Sequence, residues 1–293
     1  MTRTACLNSI YELAKRDERV VFIGSDLSPN TLPDFQRDFP NRFFMEGINE
    51  QNCVGMAAGL AKEGFIPYVN TIATFITRRA YEQVAMDICL HNLPVRLIGN
   101  GGGLLYAPLG ATHCAIEDIA IMRALPNMAV VNCADSAEML EFMPQTLDYP
   151  GPMYIRLGRD NDLALEKEFI GRAKILLIGT GIMTPYLQRA RKLIDIPANI
   201  YHARCIKPLT LDLNVAPYDL IVTAEEGIAS GGLGTAVMEL LADNRIYTPV
   251  LRLGLPDAFP HHYGEREDLL DTYGLTPEKI AQRIKEAYAR ISD

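Results

Sequence analysis

Between Phe43 and Lys62 the chain reads FFMEGINEQNCVGMAAGLAK. Phe43-Phe44-Met45 is a short extended run and Gly47 marks a turn. From Glu50 onward apolar residues return at helical spacing: Cys53, Val54, Met56, Ala57, Leu60 and Ala61. The helix is rich in Ala and Gly, so it can pack closely against a neighbour. Glu50 falls at or just before its first turn, where the helix dipole favours an ionised carboxylate and burial disfavours it. Taken alone, it reads as an ordinary helix-start acid. The βα step recurs along the chain, which predicts an α/β fold of two consecutive open, twisted domains, the first with a parallel sheet.

The pattern predicts a helix over residues 4–17 and a short buried strand from Val20 to Gly24. Gly24-Ser25-Asp26-Leu27-Ser28-Pro29-Asn30 follows at the C-terminal end of that strand, where open α/β sheets bind ligands. The same residues are good turn formers. A strand from Ile66 to Asn70 leads to a helix opened by Phe75 and Tyr81 and running to about Leu90. The next strand, Pro94 to Ile98, precedes Gly101-Gly102-Gly103. That turn lacks the Lys-Ser/Thr ending of a phosphate loop, so it reads as a backbone turn near the site. A helix from Ile116 to Arg123, a strand near Met128 to Val131, a helix from about Ser136 and a strand from Tyr154 complete this layer. Residues 160–171 are polar and aperiodic, which sets domains at 1–160 and 172–293 with a linker over 161–171. The second half restarts the alternation, with strands near Ala173–Gly179, Ile200–Ala203, Leu220–Thr223 and Val250–Leu253. Its helices are expected near Pro185–Leu193, from Gly232, and from Thr276 to Ile291.

The chain has 293 residues, 48% hydrophobic and 22% charged, enough for one large or two medium domains with ample core. Net charge is −8 and no basic stripe occurs, which argues against a nucleic-acid partner. No apolar run is long enough to span a bilayer, and the N-terminus enters a helix without a signal-like segment. The six cysteines are scattered without a C-x-x-C pair and read as small buried thiols in a reducing cytoplasm. His261-His262 has no third ligand at a usual spacing and reads as a polar loop.

The run Gly47-Ile48-Asn49-Glu50-Gln51-Asn52, with its small-residue helix, resembles the segment of transketolases and related thiamine diphosphate enzymes that delivers a glutamate to the coenzyme's aminopyrimidine ring. Similar matches are the 24–30 loop, Gly110-Ala111-Thr112-His113, Ile206-Lys207-Pro208-Leu209, Ala224-Glu225-Glu226, Gly231-Gly232-Leu233-Gly234 and Tyr273-Gly274-Leu275-Thr276-Pro277. The resemblance implies that Glu50 and His113 are catalytic. It places Glu50, Phe75, Arg78, Tyr81 and Asp26 at the coenzyme, with Phe75 against the aminopyrimidine. A carboxyl group at the ring's N1′ promotes the tautomer whose amino group can take the reacting proton. A two-carbon ketol unit would pass from a ketose to an aldose, with His113 hydrogen-bonding the oxygens on which charge develops.

The family's further N-terminal domain, which holds the diphosphate through Mg²⁺ with a G-D-G motif, has no counterpart here: the sequence contains no G-D-G. A diphosphate needs a metal or a cationic cradle. The resemblance therefore implies an N-terminal partner subunit that supplies the Mg²⁺ site, with two copies of each chain in a heterotetramer and no metal held by this chain. Arg3, Asn30 and Arg159 align with sugar-phosphate contacts. Gly101 replaces a histidine contact, and Leu109 replaces an aspartate that reads the acceptor's C2 hydroxyl. An apolar side chain would leave that hydroxyl unpaired, at a cost of about 1–3 kcal/mol, which points to a branched, deoxygenated or otherwise modified sugar. The competing readings are a β-type subunit of a 2-oxo acid dehydrogenase and a non-catalytic partner subunit.

Overall fold

The computed structural model describes residues 2–25, 31–158, 164–166, 171–211 and 218–292. Two sheets organise them. The first contains β1 (Val20–Ser25), β2 (Phe43–Glu46), β3 (Ile66–Ile72), β4 (Arg96–Asn100), β5 (Ala129–Asn132) and β6 (Met153–Leu157) in the order β2-β1-β3-β4-β6-β5. These strands are all parallel to their neighbours. The second sheet contains β7 (Ile175–Gly179), β8 (Ala198–His202), β10 (Leu220–Ile228) and β11 (Val250–Leu255), parallel in the order β11-β10-β7-β8. Between β8 and β10 the chain returns to the first sheet. There β9 (Cys205–Lys207) pairs antiparallel with β5 and becomes its edge strand.

The period-two pattern of the strands builds a core on both faces of the first sheet. Val20 and Phe22 face Ile10 and Leu13 of α1 (Thr2–Ala14), Phe35 of α2 (Pro33–Asp38) and Met139 and Phe142 of α6 (Ser136–Phe142). Val21 and Ile23 face the opposite layer, which holds Val54, Ala57 and Ala61 of α3 (Glu50–Lys62) and Ile119 and Met122 of α5 (Asp118–Ala124). That layer does not stop at the expected domain boundary. It continues through Leu176, Ile178 and Ile221 of the second sheet into Leu233, Val237 and Leu241 of α8 (Leu233–Asp243). The outer face of the second sheet packs on α7 (Met183–Arg191), α9 (Arg266–Thr272) and α10 (Pro277–Ser292).

The helix expected from Phe75 to Leu90 is present but irregular. A π-type turn, Phe75–Arg79, and a π-type stretch, Val84–Cys89, flank a single α turn, α4 (Tyr81–Gln83). Such widened turns recur at functional sites. In the first sheet the chain leaves β1 toward β2 and then crosses back to β3, so the connectivity reverses between β1 and β3. The C-terminal ends of those two strands form the crevice where open α/β sheets take ligands.

Candidate active site

β1 ends at Ser25, β2 runs into the Gly47 turn, and α3 begins at Glu50. The side chain of Glu50 is completely buried. The Ser25 hydroxyl lies 3.0 Å from Glu50 Oε1 and 2.9 Å from the Gly47 carbonyl, and its single proton serves one of them at a time. The N–H of Asn49 reaches the same hydroxyl at 3.4 Å. Glu50 Oε2 accepts a 2.6 Å charge-assisted hydrogen bond from Arg79 Nη1. Because Glu50 opens α3, the helix dipole also supports its charge.

Phe75 stands beside this pair, half-buried, at the start of the π-type turn. The Arg79 guanidinium lies over the Phe75 ring, 4.4 Å from its centroid. The His113 ring meets Phe75 edge-on, with centroids 5.4 Å apart, and its Nδ1 lies 2.9 Å from Thr112 Oγ1. The crevice therefore brings together a buried carboxylate, an aromatic face and an imidazole from three separate chain segments. Two hydroxyls at the C-terminal end of β3, that of Thr71 within the strand and that of Thr74 just beyond it, are buried with no hydrogen-bond partner among the described residues.

Arg78 points elsewhere. Its guanidinium makes a two-pronged ion pair with Glu117 and donates to the carbonyls of Ala111 (3.3 Å) and Cys114 (2.9 Å), on either side of His113. Tyr81 donates its hydroxyl to the Ile121 carbonyl at 3.0 Å, and burial pushes its phenol upward. The glycine turn closes around protein rather than around an open cradle. A Cβ on Gly101, whose φ is +77°, would lie 2.1 Å from the Tyr106 ring, and one on Gly102 would lie 2.5 Å from Arg156. Two thiols lie near the site, Cys53 on α3 and Cys114 beside His113. Burial raises both to about 11, so they stay protonated near neutral pH and are not nucleophiles there.

Arg3 lines a cavity of about 310 Å³ with Asn8, Tyr11, Thr31 and Asp34, and its buried Nε has no partner among the described residues. Leu109 is 54% exposed on the loop that precedes His113. No hydrogen bond, ion pair or ring contact among the described residues joins Arg3 or Leu109 to the Glu50–Phe75–His113 group. Asp26, Asn30 and Arg159 lie outside the described residues. Ser25 and Arg79 join the site only through their contacts in the structure. Arg79 had one legible signal: it follows Phe75 by four residues, a spacing that puts two side chains on one helical face.

Among the described residues no group of three or more His, Cys, Asp or Glu side chains is arranged to hold a metal, and no helix is long and apolar enough to cross a membrane.

Residues 1–162 match the family model of the transketolase pyrimidine binding domain, and residues 170–280 that of the transketolase C-terminal domain. A Methanocaldococcus jannaschii chain described as a transketolase C-terminal section is 36% identical over 295 residues, covering 95% of this chain and 93% of that one. A 1-deoxy-D-xylulose-5-phosphate synthase of Symbiobacterium thermophilum is 38% identical over 304 residues, covering 97% of this chain but 46% of the synthase. The chain thus spans about half the length of that relative. Among solved structures, a split-gene transketolase described as an inactive β4 tetramer superposes with a TM-score of 0.86 at 35% identity, over 98% of this chain and 97% of that one. A transketolase of Pichia stipitis shares the fold at a TM-score of 0.83 and 19% identity, over 99% of this chain and 46% of its own. The chain belongs to the transketolase family, in which it corresponds to the C-terminal section, a pyrimidine-binding domain followed by the C-terminal domain.

Proposed function

We propose that this chain is the pyrimidine-side subunit of a thiamine diphosphate-dependent ketol transferase, completed by a partner that binds the diphosphate and Mg²⁺. The observation that carries the reading is the fully buried carboxylate of Glu50 at the β1/β3 crevice, beside the rings of Phe75 and His113. The residues present fit a heterocycle. A carboxylate is available to a ring nitrogen, an aromatic face to a ring plane, and the unpartnered hydroxyls of Thr71 and Thr74 to polar ring edges. When bound, the coenzyme supplies a nucleophilic carbon.

Glu50 holds or shares a proton at the ring nitrogen, with Ser25 fixing the orientation of its other oxygen. Phe75 sets the plane of the ring. His113, braced by Thr112 and by contact with Phe75, donates to the substrate oxygens as charge develops on them. Asp26 on the coenzyme side, and Arg3, Asn30 and Arg159 on the sugar-phosphate side, complete the proposed contacts. Leu109 faces the acceptor and biases the site toward a sugar lacking the usual hydroxyl pattern. The supporting subunit arrangement is two of each chain, acting in the cytoplasm.

Glu50→Gln tests the reading. The expected result is an assembled enzyme with unchanged circular dichroism and a turnover lower by roughly 10²–10⁴-fold. Near-normal turnover would remove Glu50 from the mechanism.

The synthase relatives favour a second reading, in which the chain is one half of an enzyme that makes 1-deoxy-D-xylulose 5-phosphate. Product analysis of the assembled enzyme separates the two: a ketol-transfer product supports the first and the deoxyketose phosphate the second.

A further inference from the structure

Arg79 already makes the two contacts that the proposed site reserves for the coenzyme ring. Its guanidinium is planar and cationic, with N–H donors along its edges. One of those donors meets Glu50 Oε2 at 2.6 Å, and the plane lies over Phe75 at 4.4 Å from the centroid. The oxygen it takes is the one left open, since Ser25 stands at Oε1. The two partners differ sharply in exposure: the Glu50 side chain is 0% exposed and that of Arg79 is 43%. Arg79 therefore reaches inward from the rim, and its withdrawal moves a long side chain toward water rather than through the core.

A buried carboxylate with no countercharge is expensive, so a chain with an empty ring subsite needs something on Glu50. A ring nitrogen seated on Oε2 and a ring plane seated on Phe75 would require the volume that the guanidinium fills. The π-type turn Phe75–Arg79 carries both residues, so the occupant and the face it covers belong to one local element.

We infer that Arg79 is an internal occupant of the coenzyme-ring subsite. It neutralises Glu50 when the ring is absent, is displaced when the ring enters, and thereby sets the affinity for coenzyme. The inference rests on the proposed roles of Glu50 and Phe75. It makes binding a competition: apparent affinity is the intrinsic affinity reduced by the fraction of molecules in which Arg79 has withdrawn.

The test is an equilibrium titration of thiamine diphosphate, at saturating Mg²⁺, into the chain assembled with its diphosphate-binding partner. Wild type, Arg79→Ala, Arg79→Met and Phe75→Ala are compared. Arg79→Met retains length and apolar contact with Phe75 but has no donor, and it serves where the alanine variant fails to fold. Phe75→Ala should bind more weakly. Both Arg79 variants should bind more tightly, by about tenfold if the occupied form outnumbers the open one ten to one. Unchanged or weaker binding in the Arg79 variants, with Phe75→Ala still weakened, overturns the inference and makes Arg79 a bystander or a ligand. Unchanged binding in Phe75→Ala overturns instead the ring-site reading beneath it.

Discussion

At Leu109, which we propose to face the acceptor, the side chain is apolar and 54% exposed, so it can change without disturbing a core. An apolar group there leaves a substrate hydroxyl without a partner, and Leu109→Asp supplies one. The variant should turn over an ordinary aldose phosphate faster than wild type, by about 5–150-fold in kcat/KM if one hydrogen bond of roughly 1–3 kcal/mol is gained. A steady-state comparison of both proteins on the same acceptor checks this; no gain would remove Leu109 from the specificity account. The residues of the crevice were unequally legible in the sequence. Glu50 and His113 sit in short runs of distinctive residue types, and Phe75 is an aromatic just beyond a strand. Ser25 is only the last residue of a buried strand, and Arg79 is half of an Arg-Arg pair at the start of a helix. Their roles come from what lies opposite them, and local sequence carries no record of that.

Among the elements, the loop bearing His113 is held by the helical run that carries Phe75. Arg78 ties the two through Glu117 and the carbonyls of Ala111 and Cys114. Glu117→Gln removes the charge that anchors Arg78 but keeps an acceptor. The expected result is a stability loss of about 1–2 kcal/mol by urea unfolding, with faster amide exchange across residues 110–115. An unchanged exchange pattern would mean that the loop is held by other contacts. At α8 the N-terminal N–H groups of Leu233 and Gly234 donate to the buried carboxylate of Glu225, each at 2.9 Å. A Cβ on Gly232 would lie 1.8 Å from Glu225 Oε2. Gly232→Ala should therefore push that carboxylate off the helix terminus, at a cost of about 2–4 kcal/mol in the same assay. The βα alternation made most helices and strands legible. Four features were not, the first being α2, a six-residue helix, Pro33–Asp38, too short for apolar spacing to mark. The π-type turns differ from an α-helix by one residue per turn, below what apolar spacing resolves. β9 is three residues long, and only the open edge of β5 makes it a strand. α9, Arg266–Thr272, is polar but for two leucines, and its helix start is fixed by a reciprocal cap between Glu265 and Asp268.

Across the whole molecule the two sheets are joined by buried charge as well as by apolar contact. Arg266 of α9 grips Glu226 at the end of β10 with bonds of 2.8 and 2.6 Å. Arg156 of β6 donates to the Glu226 carbonyl at 2.8 Å and pairs with Asp118 at 2.8 Å, and Leu104 N–H reaches Glu226 Oε1 at 2.9 Å. Arg266→Met would leave the Glu226 carboxylate buried without its cation, at about 3–5 kcal/mol. Because the network spans both halves, that loss should lower a single calorimetric transition rather than uncover a second one. Separate transitions for the two halves would contradict the coupling. The same reasoning governs a chain cut near the expected boundary. Residues 1–158 keep every parallel strand of the first sheet but lose β9, so the β5 edge is left open. They also lose Leu176, Ile178, Ile206, Leu233 and Val237, which belong to the apolar layer on one face of that sheet. An open strand edge beside an uncovered apolar face is a template for aggregation. The fragment expressed alone should be insoluble or bind a hydrophobic dye, and co-expression with residues 171–293 should restore a soluble complex. A soluble, cooperatively folded fragment would mean that the first sheet closes its own core, and that the shared layer contributes to the assembly rather than to folding.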